Sequence, residues 1–332
     1  MNEWTQEKEA KILKRSKWLL TIKIVRIIII IAFIYWIYML AITLISDATD
    51  TKNEDAYYAR VATSMKYPNV YADFTSILGS SIRATGTQQF SNPLLKVVGK
   101  EETLIGDVKV TKSLLNVFSH IQYEHPGRAV LNEFSFVLPN DANKYEDAED
   151  ESSQTVWQRL EKLPEGTVAE MKFTTVDYMT PEALLKKVAN YDLDVLWMPL
   201  FTGEFESFTP TSYGSSGNGN TVSDKIGLYG GHAHGKDFNG GSFIHTLNLE
   251  MMDESKDYYL TNLKEMLDKK ESYYERFLGL SYLEERYEYI QSNGFKVYGA
   301  VVTGPTKELL KLRAENGIYQ FQLGDVELWN WK

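Results

Sequence analysis

Three histidines and a run of glycines come closest to a reactive constellation. His232 and His234 form an H-x-H pair, Asp237 follows, and His245 lies downstream. On an extended segment this spacing points both rings the same way, as a pair of Zn²⁺ ligands requires. A structural zinc site needs four ligands and outer hydrogen-bond partners. This set is incomplete, and histidines in a Gly-rich loop are expected to be solvated. The expectation is no metal, with His232, His234 and His245 as weak candidates.

The same stretch, Gly230 to Lys236, matches G-x-x-x-x-G-K, the start of a phosphate loop. Asp237 then stands where Ser or Thr must meet Mg²⁺, and Gly240-Gly241 follows instead of a helix N-terminus. No nucleotide or other cofactor is expected. Gly214-Ser-Ser-Gly217-Asn218 misses the G-x-S-x-G elbow of a hydrolase at its last position. The carboxylates show no pairing that separates them from a solvated surface. Nothing in these residues demands an enzyme, and none is expected.

The elements that would position such groups are organised around Ile27–Ile45, which contains no charge, Pro or Gly. About 20 apolar residues in a helix cross a bilayer core, and a helix satisfies its own backbone there. The flank 1–26 carries seven basic and three acidic side chains, whereas Asp47, Asp50, Glu54 and Asp55 follow the span with only Lys52 opposing. Basic flanks stay in the cytoplasm. The expected topology is an inner N-terminus and an extracytoplasmic remainder at the plasma membrane. A cleaved signal peptide is the rival, with small residues at Ser46-Asp47-Ala48, but the apolar run exceeds the usual signal core.

The 332 residues carry a net charge of −10, which leaves −14 beyond residue 26. That balance excludes direct nucleic-acid binding by the outer portion and a broad footprint on anionic lipid. There are no cysteines, so neither disulfides nor thiolate sites contribute. The chain divides into a short basic segment (1–26), the span (27–45), a first outer part (46–139), an acidic linker (140–153) and a C-terminal domain (154–332). The linker lacks the spaced oxygen ligands of a calcium loop.

Within the outer part, Asn53–Lys66 reads as a helix stopped by Pro68. Leu94–Val98, Val108–Val110 and Ala129–Leu138 read as strands. Tyr213–Asn220 reads as a loop, and Gln154–Leu163 as a short helix. Thr167–Thr174, a helix capped by Thr180 with Pro181 at its first position, and Leu193–Leu200 form a strand-helix-strand unit. Phe295–Thr303, Thr306–Glu315 and Ile318–Leu323 repeat it, and Val326–Trp331 adds a last strand on which Trp329 and Trp331 alternate toward one side. Between the units, Met251–Lys270 and Glu271–Ser292 carry a long pair of helical patterns whose tyrosines belong to the core or to a helix–helix contact rather than to a ligand cage. The expected fold is α/β (α+β): one N-terminal transmembrane helix, then an extracytoplasmic domain with two βαβ-like units and a long helical pair.

Tyr298-Gly-Ala-Val-Val-Thr-Gly-Pro-Thr-Lys-Glu-Leu-Leu-Lys-Leu312 and Gly324-Asp-Val-Glu-Leu-Trp-Asn-Trp331 resemble the C-terminal domain of the membrane-bound sigma factor regulators of Gram-positive bacteria. Trp197-Met-Pro-Leu-Phe-Thr-Gly-Glu204 is similar to the same domain, and Pro68-Asn-Val-Tyr71 resembles the N-terminal part of the family. The resemblance implies an anti-sigma factor whose inner portion holds an extracytoplasmic-function sigma factor while its outer domain responds to the envelope. The inner segment here is short and has no Cys/His zinc module. Its grip comes from the short helix or from a second membrane protein, or sigma binding has been lost. The residues expected to contact a partner are Lys11, Lys14, Arg15 and Lys17, with Ile12 and Leu13 as the apolar anchor. The competing readings are a surface-tethered binding domain without sigma contact and an extracytoplasmic metal-dependent hydrolase.

Overall fold

The apolar run lies inside one long helix. In a computed structural model of the chain, α1 (Gln6–Thr49) is 44 residues of uninterrupted helix, and the basic flank continues directly into the span. Residues 6–49, 51–73, 78–83, 87–113, 119–124, 134–139, 151–216, 219–236, 238 and 241–331 are described. Among them, α1 is the one helix long and apolar enough to cross a membrane.

Next comes α2 (Thr51–Lys66), almost wholly buried from Asp55 onward. The chain then enters β1 (Val70–Ala72), β2 (Leu78–Ile82), β3 (Thr87–Val98), β4 (Glu101–Ser113) and β5 (His120–Glu124). They form an antiparallel sheet in the order β1-β3-β4-β5, with β2 also on β3. On β3, Phe90, Asn92, Leu94, Lys96 and Val98 are buried in alternation, the period of a sheet with one covered face. Residues 129–133 of the expected strand Ala129–Leu138 lie outside the described residues. Its remainder makes one isolated bridge, Val137 to Thr221, and is not a strand. Phe134 and Phe136 are nevertheless buried, because the segment lies across the core. Residues 140–150 of the acidic stretch also lie outside the described residues.

The C-terminal part begins with α3 (Glu151–Glu161), β6 (Thr167–Met179), α4 (Pro181–Val188) and β7 (Asp194–Phe201). Thr180 caps α4 as expected, its side chain accepting from the Ala183 amide at 3.2 Å. A hairpin of β8 (Tyr213–Ser216) and β9 (Gly219–Val222) replaces the expected loop, because two short extended arms pair antiparallel, Tyr213 with Val222 through Ser216 with Gly219. Then come β10 (Gly227–Tyr229), β11 (Gly231–His234), β12 (Gly241–Ile244) and α5 (Met252–Leu267). The second member of the expected helical pair is broken. It is a π-helical turn, Ser272–Phe277, followed by α6 (Leu283–Asn293). Gly279 (φ 68°) and Tyr282 (φ 58°) are left-handed there, which stops helix propagation without any proline. The chain closes with β13 (Lys296–Pro305), α7 (Thr306–Lys311) and β14 (Ile318–Leu328).

The main sheet runs β10-β7-β13-β6-β14, with antiparallel neighbours throughout. The strands of the first β-α-β unit, β6 and β7, are therefore parallel with β13 inserted between them. Those of the second, β13 and β14, are parallel with β6 inserted. The two expected units are thus interlocked, in the β-α-β-β-α-β ferredoxin-like plan, with residues 202–295 as a long excursion between its halves. β13 is buried along nearly its whole length. α7 and α4 pack against it, and α3 packs against α7 and β14.

Residues on both sides of the acidic stretch share one core, in which Ala62, Met65, Val70 and Leu94 join the cluster of Trp197, Phe201, Tyr298 and Val301. Glu170 on β6, fully buried, meets Lys96 of β3 at 2.7 Å and accepts from Asn69 Nδ2 at 2.7 Å. Lys96 also reaches Asp325 on β14 at 2.8 Å.

Candidate functional site

Lys11, Ile12, Leu13, Lys14, Arg15 and Lys17 all lie on the basic half of α1 and are exposed. Lys11, Lys14 and Arg15 share one side at i, i+3 and i+4, and Leu13 and Lys17 share another. The apolar half of α1 is as bare, with Ile27 to Ile31 and Phe33 to Ile37 all more than 40% exposed. A helix that presents apolar side chains all round has no aqueous partner and fits a lipid or helix environment.

This helix leads into α2, whose side chains are bonded on two faces. One face of α2 meets the histidine hairpin and α5. Tyr57 Oη shares its proton between Asn262 Oδ1 at 2.7 Å and the His232 carbonyl at 3.0 Å, and Asn262 Nδ2 donates to the same carbonyl at 2.8 Å. Ser64 Oγ lies 3.2 Å from His232 Nε2. Tyr58 Oη donates to Glu265, whose carboxylate also lies 3.0 Å from His234 Nε2. Another face meets the π-helical turn. Asp55 accepts from Tyr273 Oη at 2.9 Å and from Lys112 Nζ at 3.0 Å, while Lys112 sits 4.3 Å from the Tyr273 and Phe277 rings. Burial raises the Asp55 carboxyl above the ordinary carboxylate value, and the Lys112 charge opposes that shift.

The expectation that the histidines are solvated fails for His232, which is 1% exposed. The segment is strand β11, not an open loop, and His232 stacks on Phe243 with ring centres 4.4 Å apart. Burial, then the charge of Arg60, holds its pKa well below the ordinary 6.5. His245 packs at 4.0 Å from the same Phe243 and lies 3.7 Å from Glu102. Phe243 thus separates His232 from His245, and His234 turns to Glu265. Among the described residues no three His, Asp or Glu side chains gather as a ligand set; Asp237 lies outside them.

A pH dependence follows from His232. A histidine kept neutral in the fold binds fewer protons than in the unfolded chain, so its contribution is complete above pH 6.5 and is lost as pH falls below that value. The raised Asp55 acts with the opposite sign, so the comparison must be made between variants. Melting at about pH 7.5 and about pH 5.5 is expected to show an acid loss in the parent and a smaller loss in His232→Gln. An equal loss in both would remove His232 as the cause.

Tyr57, Ser64, Asn262 and Glu265 were missed as site residues. The helical spacing of Tyr57, Val61 and Ser64 marks a buried face of α2, but no local signal names partners some 200 positions away.

Comparison with known proteins bears on the whole arrangement. The family model described as sigma factor regulator N-terminal matches residues 10–103, covering the basic end of α1, the span, α2 and β1 to β3. The one described as sigma factor regulator C-terminal matches residues 160–325, the interlocked sheet and its excursion. Over 285 residues the chain is 27% identical to a Bacillus subtilis (strain 168) protein named probable anti-sigma-M factor YhdL, covering 85% of this chain and 71% of that one. No solved structure matches. With both models aligned to the elements described above, the chain belongs to the sigma factor regulator family.

Proposed function

We propose that this protein is an anti-sigma factor that holds an extracytoplasmic-function sigma factor at the inner face of the plasma membrane, in a complex with a second membrane protein. The family is regulatory rather than catalytic. The observation that carries the proposal is α1, which joins an exposed basic end and a bare apolar span in one helix directly before α2. Positive charge retained inside puts the Lys11–Lys17 stretch in the cytoplasm and the sheets outside. A state of the outer domain then has one covalent route inward, through α2 and α1. Residues 1–26 have too little apolar surface to enclose a globular partner alone. Charge from Lys11, Lys14, Arg15 and Lys17, contact from Ile12 and Leu13, and a partner subunit supply the affinity.

The test is deletion of residues 2–13, which leaves Lys14, Arg15, Lys17, Lys23 and Arg26 to preserve orientation. The adjacent sigma regulon is expected to switch on in that strain. A reporter fused after Lys332 is expected to be active only outside the membrane in parent and variant alike. A silent regulon with the protein correctly inserted would remove the inner segment as the sigma-holding element, and a reporter active inside would reverse the topology.

A further inference from the structure

Phe205 breaks two local preferences at once. Its backbone is left-handed (φ 64°) and its side chain is exposed, at 37%. A large L-residue in that region crowds its Cβ against the backbone, and such strain gathers where a side chain has to be presented. The other left-handed aromatic residues are compensated by packing. Phe238 stacks on His234 at 4.2 Å, and Tyr282 stacks on Phe208 at 4.6 Å. The Phe205 ring meets the Tyr213 ring edge to face at 5.1 Å, and Tyr213 is itself 51% exposed.

Both rings stand on fixed supports. The Phe205 amide donates to the Phe208 carbonyl at 2.8 Å, and the Glu206 amide to the Gly203 carbonyl at 3.0 Å. Glu204 roots this turn in the core through Arg286 of α6. Tyr213 comes from the first position of the β8–β9 hairpin. The surroundings are mainly of one sign. Across 202–224 and 281–293 the charged side chains that reach solvent are Glu206, Asp224, Glu284, Glu285 and Glu288, because Glu204 and Arg286 are buried. Glu206 accepts from Tyr289 Oη at 3.2 Å and makes no ion pair among the described residues. Lys296 of β13 approaches the Tyr289 ring at 5.6 Å and is half-buried.

Two perpendicular rings next to a carboxylate suit a flat, directional cation. A guanidinium stacks on a ring and still bonds a carboxylate in its own plane, whereas an ammonium is a hydrated point charge. Small ligands are enclosed over most of their surface. Rings this open fit another protein, and contact hot spots between proteins favour Tyr and Arg. We propose that Phe205 and Tyr213 form a docking point for an arginine carried by a basic segment of a partner protein, with Glu206 taking the guanidinium charge. The contact lies beyond α1 and uses none of the residues assigned to sigma holding.

The test uses the full-length protein in micelles of an uncharged detergent, with no sigma factor present, so its outcome is separate from the regulon test. The probes are a Gly-Ser-Arg repeat peptide with blocked ends, the same peptide with lysine, the same peptide with citrulline (neutral, with nearly the shape of arginine), and the polyamine spermine. Calorimetry at about 0.15 M salt keeps distant charges screened. The arginine peptide is expected to bind saturably, the lysine peptide about threefold more weakly and the citrulline peptide at least about tenfold more weakly. Phe205→Asn and Tyr213→Ala are each expected to weaken the arginine peptide about fivefold. Asn tolerates the left-handed backbone, so Phe205→Asn is expected to leave Tm unchanged or raised. No saturable binding, equal binding of the citrulline peptide, or unaffected ring variants would overturn the site. A lowered Tm in Phe205→Asn would show that the ring is kept for packing and would overturn it as well. Equal binding of the lysine peptide would overturn the arginine assignment, and tighter binding of spermine would overturn the protein partner.

Discussion

Glu204→Ala is expected to destabilise the folded portion after α1 by about 3–5 kcal/mol, the cost of leaving one member of a buried ion pair alone. Arg286 and Glu204 are 1% and 0% exposed at their side chains, with Nη1 2.7 Å from Oε1. Every arm of the guanidinium is engaged. Nη1 also donates to Thr202 Oγ1 at 2.7 Å, Nη2 to the Asp224 carbonyl at 3.0 Å and Nε to the Ser281 carbonyl at 3.0 Å. The Phe208 ring lies 4.8 Å from its centre. Glu204 accepts the Thr202 amide as well, which closes a turn in which Gly203 (φ 94°) and Phe205 (φ 64°) are left-handed. Removing the carboxylate strands a cation on a low-dielectric floor and releases this turn. The melting midpoint is expected to fall by about 10 °C for a domain of this size. The double change Glu204→Leu with Arg286→Met is expected to cost less than either single truncation, because no lone charge remains. A loss under about 1 kcal/mol for Glu204→Ala would show that the pair is hydrated in solution.

The terminal tryptophans are expected to differ sharply. Trp331 is 8% exposed, packs with Val98 and Val168, and donates its indole N–H to Asp192 at 2.8 Å. Lys100 Nζ lies 4.1 Å above its ring. Trp329 is 48% exposed. Trp331→Ala is expected to cost about 3–5 kcal/mol through the cavity it leaves, and Trp329→Ala no more than about 0.5 kcal/mol. Denaturant unfolding of the two variants separates them. Equal losses would restore the expectation that both residues face one side.

That expectation failed for a physical reason. β14 stops at Leu328, and Asn330 then bonds the Val98 carbonyl and the Lys100 amide, turning the chain so that strand alternation no longer applies. Signals carried within a few residues were legible: the apolar run, the Thr180-Pro181 helix start and the two β-α-β units. Signals carried by remote pairing were not. Nothing near Thr167 or Lys296 announces that β13 enters between β6 and β7. Nothing near His232 announces that Ser64 and Tyr57 will bury it. The break at Gly279 was hidden because neighbouring tyrosines and leucines keep helical spacing across it. The exposed residues of the basic end were visible as a charge pattern, whereas the α2 junction depended on contacts between segments far apart in the chain.

The continuity of α1 turns it into a lever. Its 44 residues at 1.5 Å each make a rod of about 66 Å. A tilt of about 10° imposed at the α2 end would sweep the basic tip through about 11 Å, whereas a rise of one residue would move it by only about 1.5 Å. Rocking is therefore amplified and piston motion is not. Lengthening the rod by whole turns would scale the sweep while keeping the same side chains on the same side. Inserting two residues would instead rotate the tip by roughly 200° and present Lys11, Lys14 and Arg15 to the opposite side.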